Sequence, residues 1–149
     1  MKQIFALILM TAMLLTLAGC ANADPAAEAG PDQADPQAKI FALVEANYDA
    51  IVTACEEKDM HTLCAIAGIE EVRIVEGCIV VYCMGADSQD YGFYYSSGGT
   101  AAAVDRNLHI LCSAEEMTPK GAGLEYTAEG NICYTQQIKD KLFFYSTTY

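Results

Sequence analysis

The chain has 149 residues, 53% of them hydrophobic, with 20 acidic against 8 basic side chains and a formal net charge of −12. That length allows one or at most two small domains, and the sign of the charge repels a phosphate backbone, which excludes nucleic acid as a partner. The same sign opposes polybasic-type attraction to anionic lipid headgroups.

Residues 1–19 place a lone cation, Lys2, before an apolar run from Ile4 to Leu17 interrupted only by Thr11 and Thr16. The layout is that of a secretory signal, and the run falls short of the roughly 20 residues that span a bilayer. It ends in Leu17-Ala18-Gly19-Cys20, which resembles the lipobox of bacterial lipoproteins. The resemblance implies that Cys20 is lipidated on sulfur, that cleavage before it removes the signal, and that the new N-terminus is acylated. Two or more acyl chains make a stable anchor where one is marginal. The expected location is therefore the outer side of a bacterial cytoplasmic membrane, with the membrane a partner through Cys20. An ordinary secretory signal with a cysteine near its cleavage site is the alternative. The mature chain keeps 7 basic and 20 acidic side chains, a net charge of −13.

Residues 21–36 hold three of the four prolines, four acids and no aromatic or large aliphatic side chain. They cannot bury a core, so 20–36 reads as a lipidated N-terminus and flexible tether. Asp35-Pro36 supplies an N-cap acceptor and a pre-set first helical residue, predicting a helix that runs to about Lys58. Ile40, Val44, Ile51 and Cys55, helped by Leu43, Tyr48 and Ala54, form its apolar stripe. A second short helical turn is expected between Met60 and Ala67, ended by Gly68.

The period then changes to that of strands: Val72–Val75, Cys78–Met84 and Tyr91–Ser97, separated by Glu76-Gly77 and a loop from Gly85 to Asp90. Gly98-Gly99 predicts a tight hairpin into Thr100–Val104. The stretch Asp105–Gly123 reads as a long loop with a short strand near Leu108–Cys112, and Leu124–Thr127, Ile132–Ile138 and Leu142–Thr148 complete the set. Residues 37–149 are thus expected to form one α+β domain, an N-terminal helix packed on a twisted antiparallel meander sheet of about six strands. Ten of the 14 aromatic residues lie between Tyr91 and Tyr149, which concentrates both core and interface material in the sheet. On a strand Phe93 and Tyr95 share one face and Tyr94 takes the other; one set is expected against the helix, and the opposite set either pairs across strands to stabilise the sheet or is open to a partner. The Tyr91-Gly92-Phe93-Tyr94-Tyr95 run, the Glu-Gly-Asn-Ile-Cys-Tyr segment ending at Tyr134 and the aromatic final strand resemble small lipoproteins of clostridial bacteria, a resemblance that carries no activity with it.

Apart from Cys20 there are six cysteines, enough for three disulfides in an exported chain. Cys78 and Cys83 point to opposite faces of one strand and cannot pair; Cys55 with Cys64 is the best-placed local bridge, and buried unpaired thiols are the alternative to any disulfide. His61 with Cys64 and His109 with Cys112 share a His-x-x-Cys spacing that would serve zinc on a helix but not on a strand. No cysteine-hydrolase signature, serine elbow or phosphate-cradling loop is present, and Asp87–Gly92 only begins like a calcium loop. No catalytic, cofactor-binding or metal-ligating residue is assigned and no cofactor is implied; Cys20 is the one site residue. The resulting expectation is a lipid-anchored binding or protein-interaction module, with an inhibitor of a secreted protein, or an enzyme using a Cys/His site, as alternatives.

Overall fold

The computed structural model describes residues 35–128 and 130–149; the signal, Cys20 and the tether to residue 34 lie outside the described residues. Asp35 caps the first helix, its carboxylate accepting the Gln37 N–H at 3.1 Å, and Pro36 opens the first turn. Three helices follow in order: α1 (Pro36–Ala46), α2 (Tyr48–Glu57) and α3 (Met60–Cys64).

The single helix expected up to Lys58 is broken at Asn47. The Asn47 side-chain amide donates to the Leu43 carbonyl at 2.9 Å, while its own backbone N–H is shared between the Leu43 and Val44 carbonyls at 3.2 and 3.3 Å. A short amide side chain thus competes for the carbonyl that would continue the regular ladder. The stripe survives the break, since Ile40, Val44, Ile51, Ala54 and Cys55 are all buried.

Nine strands follow: β1 (Glu71–Val75), β2 (Cys78–Ala86), β3 (Gln89–Ser96), β4 (Ala102–Val104), β5 (Ile110–Ser113), β6 (Thr118–Lys120), β7 (Gly123–Ala128), β8 (Asn131–Lys139) and β9 (Leu142–Thr148). The α+β class stands, but the sheet is not one meander of six strands. Seven strands pair antiparallel in the order β1-β2-β3-β9-β8-β7-β6. Two meanders, β1–β3 and β6–β9, therefore join where β3 pairs with β9. Pro119 is tolerated in β6 because that strand is an edge. The expected loop at Gly85–Asp90 shrinks to a turn at Asp87-Ser88, both at positive φ, with strand on either side.

The largest correction concerns the segment after Gly98-Gly99. It does not return along β3. Instead β4 pairs with β5 as a separate two-stranded hairpin. This hairpin packs Ala102, Val104 and the following Leu108 against Val80, Tyr94, Phe143 and Tyr145. The opposite sheet face packs Ile79, Val81, Cys83, Phe93, Tyr95, Leu142 and Phe144 against the buried side chains of all three helices. Phe93 and Tyr95 are the set that meets the helices, and Tyr94, on the opposite face, is fully buried beneath the hairpin.

Tyr94 explains why the hairpin docks. Its hydroxyl accepts the Ala102 N–H at 2.8 Å and lies 2.8 Å from the Thr135 hydroxyl, which itself donates to the Phe144 carbonyl at 2.9 Å. With one proton per hydroxyl, the relay runs Ala102 N–H to Tyr94 to Thr135 to Phe144, and every buried group in it is satisfied. Tyr145 differs. Its ring lies across Gly92, where a Cβ would sit 2.7 Å from Tyr145 Cε1 and 2.0 Å from the Val81 carbonyl oxygen, and its buried hydroxyl has no partner among the described residues.

These two tyrosines predict opposite outcomes on losing the hydroxyl. Tyr94→Phe strands the buried Ala102 N–H and is expected to cost about 1–3 kcal/mol, whereas Tyr145→Phe is expected to be neutral or stabilising. Urea unfolding of both variants checks this, and equal losses would contradict the relay.

Candidate functional site

Because α1 turns Ile40 and Val44 to the sheet, a second face of the same helix is left outward. Ala38, Phe41, Ala42 and Glu45 recur at helical spacing on it and, with Asp35 and Gln37, line an open cleft of about 450 Å³. Phe41 is half-buried and anchors the cleft to the sheet: its ring centroid is 6.1 Å from that of Phe144. Tyr134 and Tyr91 flank the same Phe144 ring at 6.2 and 6.5 Å.

Amides tie this aromatic shelf to the helix. Gln37 Nε2 donates to Gln136 Oε1 at 2.9 Å, and the Tyr134 hydroxyl donates to the same oxygen at 2.8 Å. The Tyr91 hydroxyl donates to Gln89 Oε1. Desolvation pushes both tyrosine pKa values up, so the hydroxyls remain protonated donors. The cleft therefore offers the apolar surface of Ala38, Phe41 and Ala42 together with the Asp35 and Glu45 carboxylates and the Gln37 amide. Its lining among the described residues contains no histidine, thiol or hydroxyl.

The residues singled out from the sequence are dispersed. Cys20 lies outside the described residues. His61 and Cys64 are both exposed on α3. His109 is exposed, 3.6 Å from the Asp105 carboxylate, while Cys112 is buried. The two His-x-x-Cys pairs do not converge, and no three His, Cys, Asp or Glu side chains group to hold a metal among the described residues. The Cys55–Cys64 bridge is absent: Cys55 is buried in the helix–sheet core, Cys64 is exposed, and both are free thiols. Cys78 and Cys83 do take opposite sheet faces, as alternation requires. Among the described residues no helix is long and apolar enough to cross a membrane. Phe41 and Gln136 escaped the sequence reading; Phe41 sits one step beside the dominant stripe, and its spacing with Ala38, Ala42 and Glu45 was the available signal.

Compared with known proteins, the chain matches no protein-family model, no curated protein and no solved structure.

The buried thiols give a pH prediction. Burial pushes Cys55 and Cys83 from an ordinary 9.0 up to about 12. The folded state thus keeps protons that the unfolded chain sheds from about pH 9. The stability associated with these thiols is fully present below that pH and is lost as pH rises toward 12. The urea midpoint should be level near neutrality and fall progressively above about pH 9; a midpoint unchanged through pH 11 would contradict the burial of both thiols.

Proposed function

We propose that this protein is a lipid-anchored extracytoplasmic binding module, in which a signal spanning residues 1–19 is removed, Cys20 carries the acyl chains, 20–36 is a tether, and the domain 37–149 presents the α1 cleft to a small-molecule or protein partner. The Leu17-Ala18-Gly19-Cys20 sequence supports the anchor. The observation that carries the binding reading is the cleft itself, lined by Ala38, Phe41, Ala42, Gln37 and the carboxylates of Asp35 and Glu45, with the Gln37 amide held by Gln136. A helical layer seated on one face of the sheet and a hairpin on the other support the helix that carries the cleft.

Two measurements test this reading separately. In the producing bacterium the wild-type protein is expected in the membrane fraction, with an intact mass that lacks residues 1–19 and includes at least two acyl chains. Cys20→Ala is expected to lose the acyl mass and to accumulate as precursor or be released. A processed Cys20→Ala protein that stays membrane-bound would contradict the anchor. Native mass spectrometry of the detergent-extracted protein is expected to show added mass from a bound molecule that Phe41→Ala loses, and retention of the same mass by a folded Phe41→Ala variant would exclude the cleft.

A further inference from the structure

Of the three buried clusters, the smallest has a different chemistry from the others. It consists of Ala103, Cys112, Met117 and Cys133, with Leu124 and Tyr126 half-buried at its rim. Three of its four members carry sulfur, and they come from three separate stretches: Cys112 from β5, Met117 from just beyond the turn Ala114–Glu116, and Cys133 from β8.

The hairpin docking described above brings them together. Cys112 stands opposite Ala103 in the β4–β5 ladder. The next residue, Val104, accepts the Thr147 hydroxyl through its carbonyl. Thr147 stands opposite Cys133 across β8–β9, with its Oγ1 3.9 Å from Cys133 Sγ. One hydrogen-bonded step thus links the backbone that holds one thiol to the backbone that holds the other.

We propose that Cys112, Cys133 and Met117 form a binding site for monovalent copper. Thiolate and thioether sulfur are soft donors that select Cu(I). Zinc is disfavoured by the same donors, because it takes four ligands from Cys, His and carboxylates and a thioether is not among them. Ligation replaces protons with metal: two thiols and Cu⁺ give a bis-thiolate copper centre of charge −1, two protons pass to solvent, and no electron is transferred.

Both thiols are buried, and Thr147 Oγ1 is the polar atom set beside Cys133 Sγ. Entry is from the rim, where Cys112 is 6% and Met117 7% exposed. There the exposed Glu115 and Glu116 precede Met117. Acidic side chains at an entrance raise the local concentration of a cation.

The test is an anaerobic titration of the processed full-length protein with Cu(I) in competition with bicinchoninate, and it does not depend on where the protein resides or on what fills the α1 cleft. One Cu(I) per chain is expected, with a sulfur-to-copper charge-transfer band in the ultraviolet. Cys112→Ser and Cys133→Ser should each lower affinity by at least about 100-fold, the upper end of the loss from removing a supporting group alone. Met117→Leu should lower it by a smaller factor, and Cys64→Ser, which removes the exposed thiol, should leave it unchanged. Copper-edge X-ray absorption of the wild type, which needs no variant to fold, should show a sulfur-only first shell of about three atoms. The proposal is overturned if the wild type yields all its copper to bicinchoninate, if folded Cys112→Ser and Cys133→Ser variants bind as the wild type does, if Cys64→Ser alone abolishes binding, or if the absorption edge shows nitrogen or oxygen ligands.

Discussion

Pairing of β3 with β9 is the constraint on which the domain depends. Gln89–Ser96 and Leu142–Thr148 are far apart in the chain, yet they run side by side at the centre of the sheet. Closing that separation costs chain entropy before any contact returns it. The return comes from both faces at once. Phe93, Tyr95, Leu142 and Phe144 meet the helices, and Tyr94, Phe143 and Tyr145 meet the hairpin. Tyr94 and Phe143 stack with centroids 5.2 Å apart and planes within 9°. Gly92 is the backbone concession that permits it, since any Cβ there would collide with the Tyr145 ring and the neighbouring strand.

Sealing both faces of this seam decides where function can reside. The aromatic run that a free sheet face would have displayed is spent on the core, which leaves the outward face of α1 and the rims of the sheet as the exposed surface. Charge follows the same logic. Arg73 and Lys120 pair with Glu71 and Glu125, while Arg106, Lys139 and Lys141 lie over the rings of Tyr149, Tyr48 and Tyr95. The turn carrying Lys139, Asp140 and Lys141 also fastens α2, because the Tyr48 hydroxyl donates to the Asp140 carboxylate and Tyr95 contacts both Lys141 and Glu56 at 3.3 Å. Those five cations are engaged within the molecule, and the net charge of −12 favours cationic ligands over anionic ones.

Much of the secondary structure was legible because it is governed by local periodicity. The Ile40–Val44–Ile51–Cys55 stripe, the Asp35-Pro36 start and the β9 boundaries all agree with the structure. Asn47 was not legible, because a strong stripe on both sides masks one side chain's competition for a carbonyl. Strand order was beyond periodicity altogether: alternation says which face a residue takes, but it does not say that β3 finds β9 rather than the strand that follows it. Misplacing β4 in turn hid the covering of the sheet face that carries Tyr94. The candidate site suffered similarly. Phe41 was outranked by neighbours that point inward, and the sulfur cluster exists only once the hairpin is laid over β8. The Cys20 reading rests on four consecutive residues and needs no fold.

Hydrogen exchange resolved to single amides tests the central claim most directly, that a doubly covered β3–β9 seam is the last part of the domain to open. The slowest amides are predicted within Phe93–Tyr95 and Phe143–Tyr145, exchanging only through global unfolding, with β6, β7 and the first turn of α1 exchanging earlier. Should the seam exchange ahead of the β1–β2 hairpin or the β7–β8 pair, the two meanders would be opening as independent units. The account of a rigid scaffold that confines function to its helical face and rims would then be wrong.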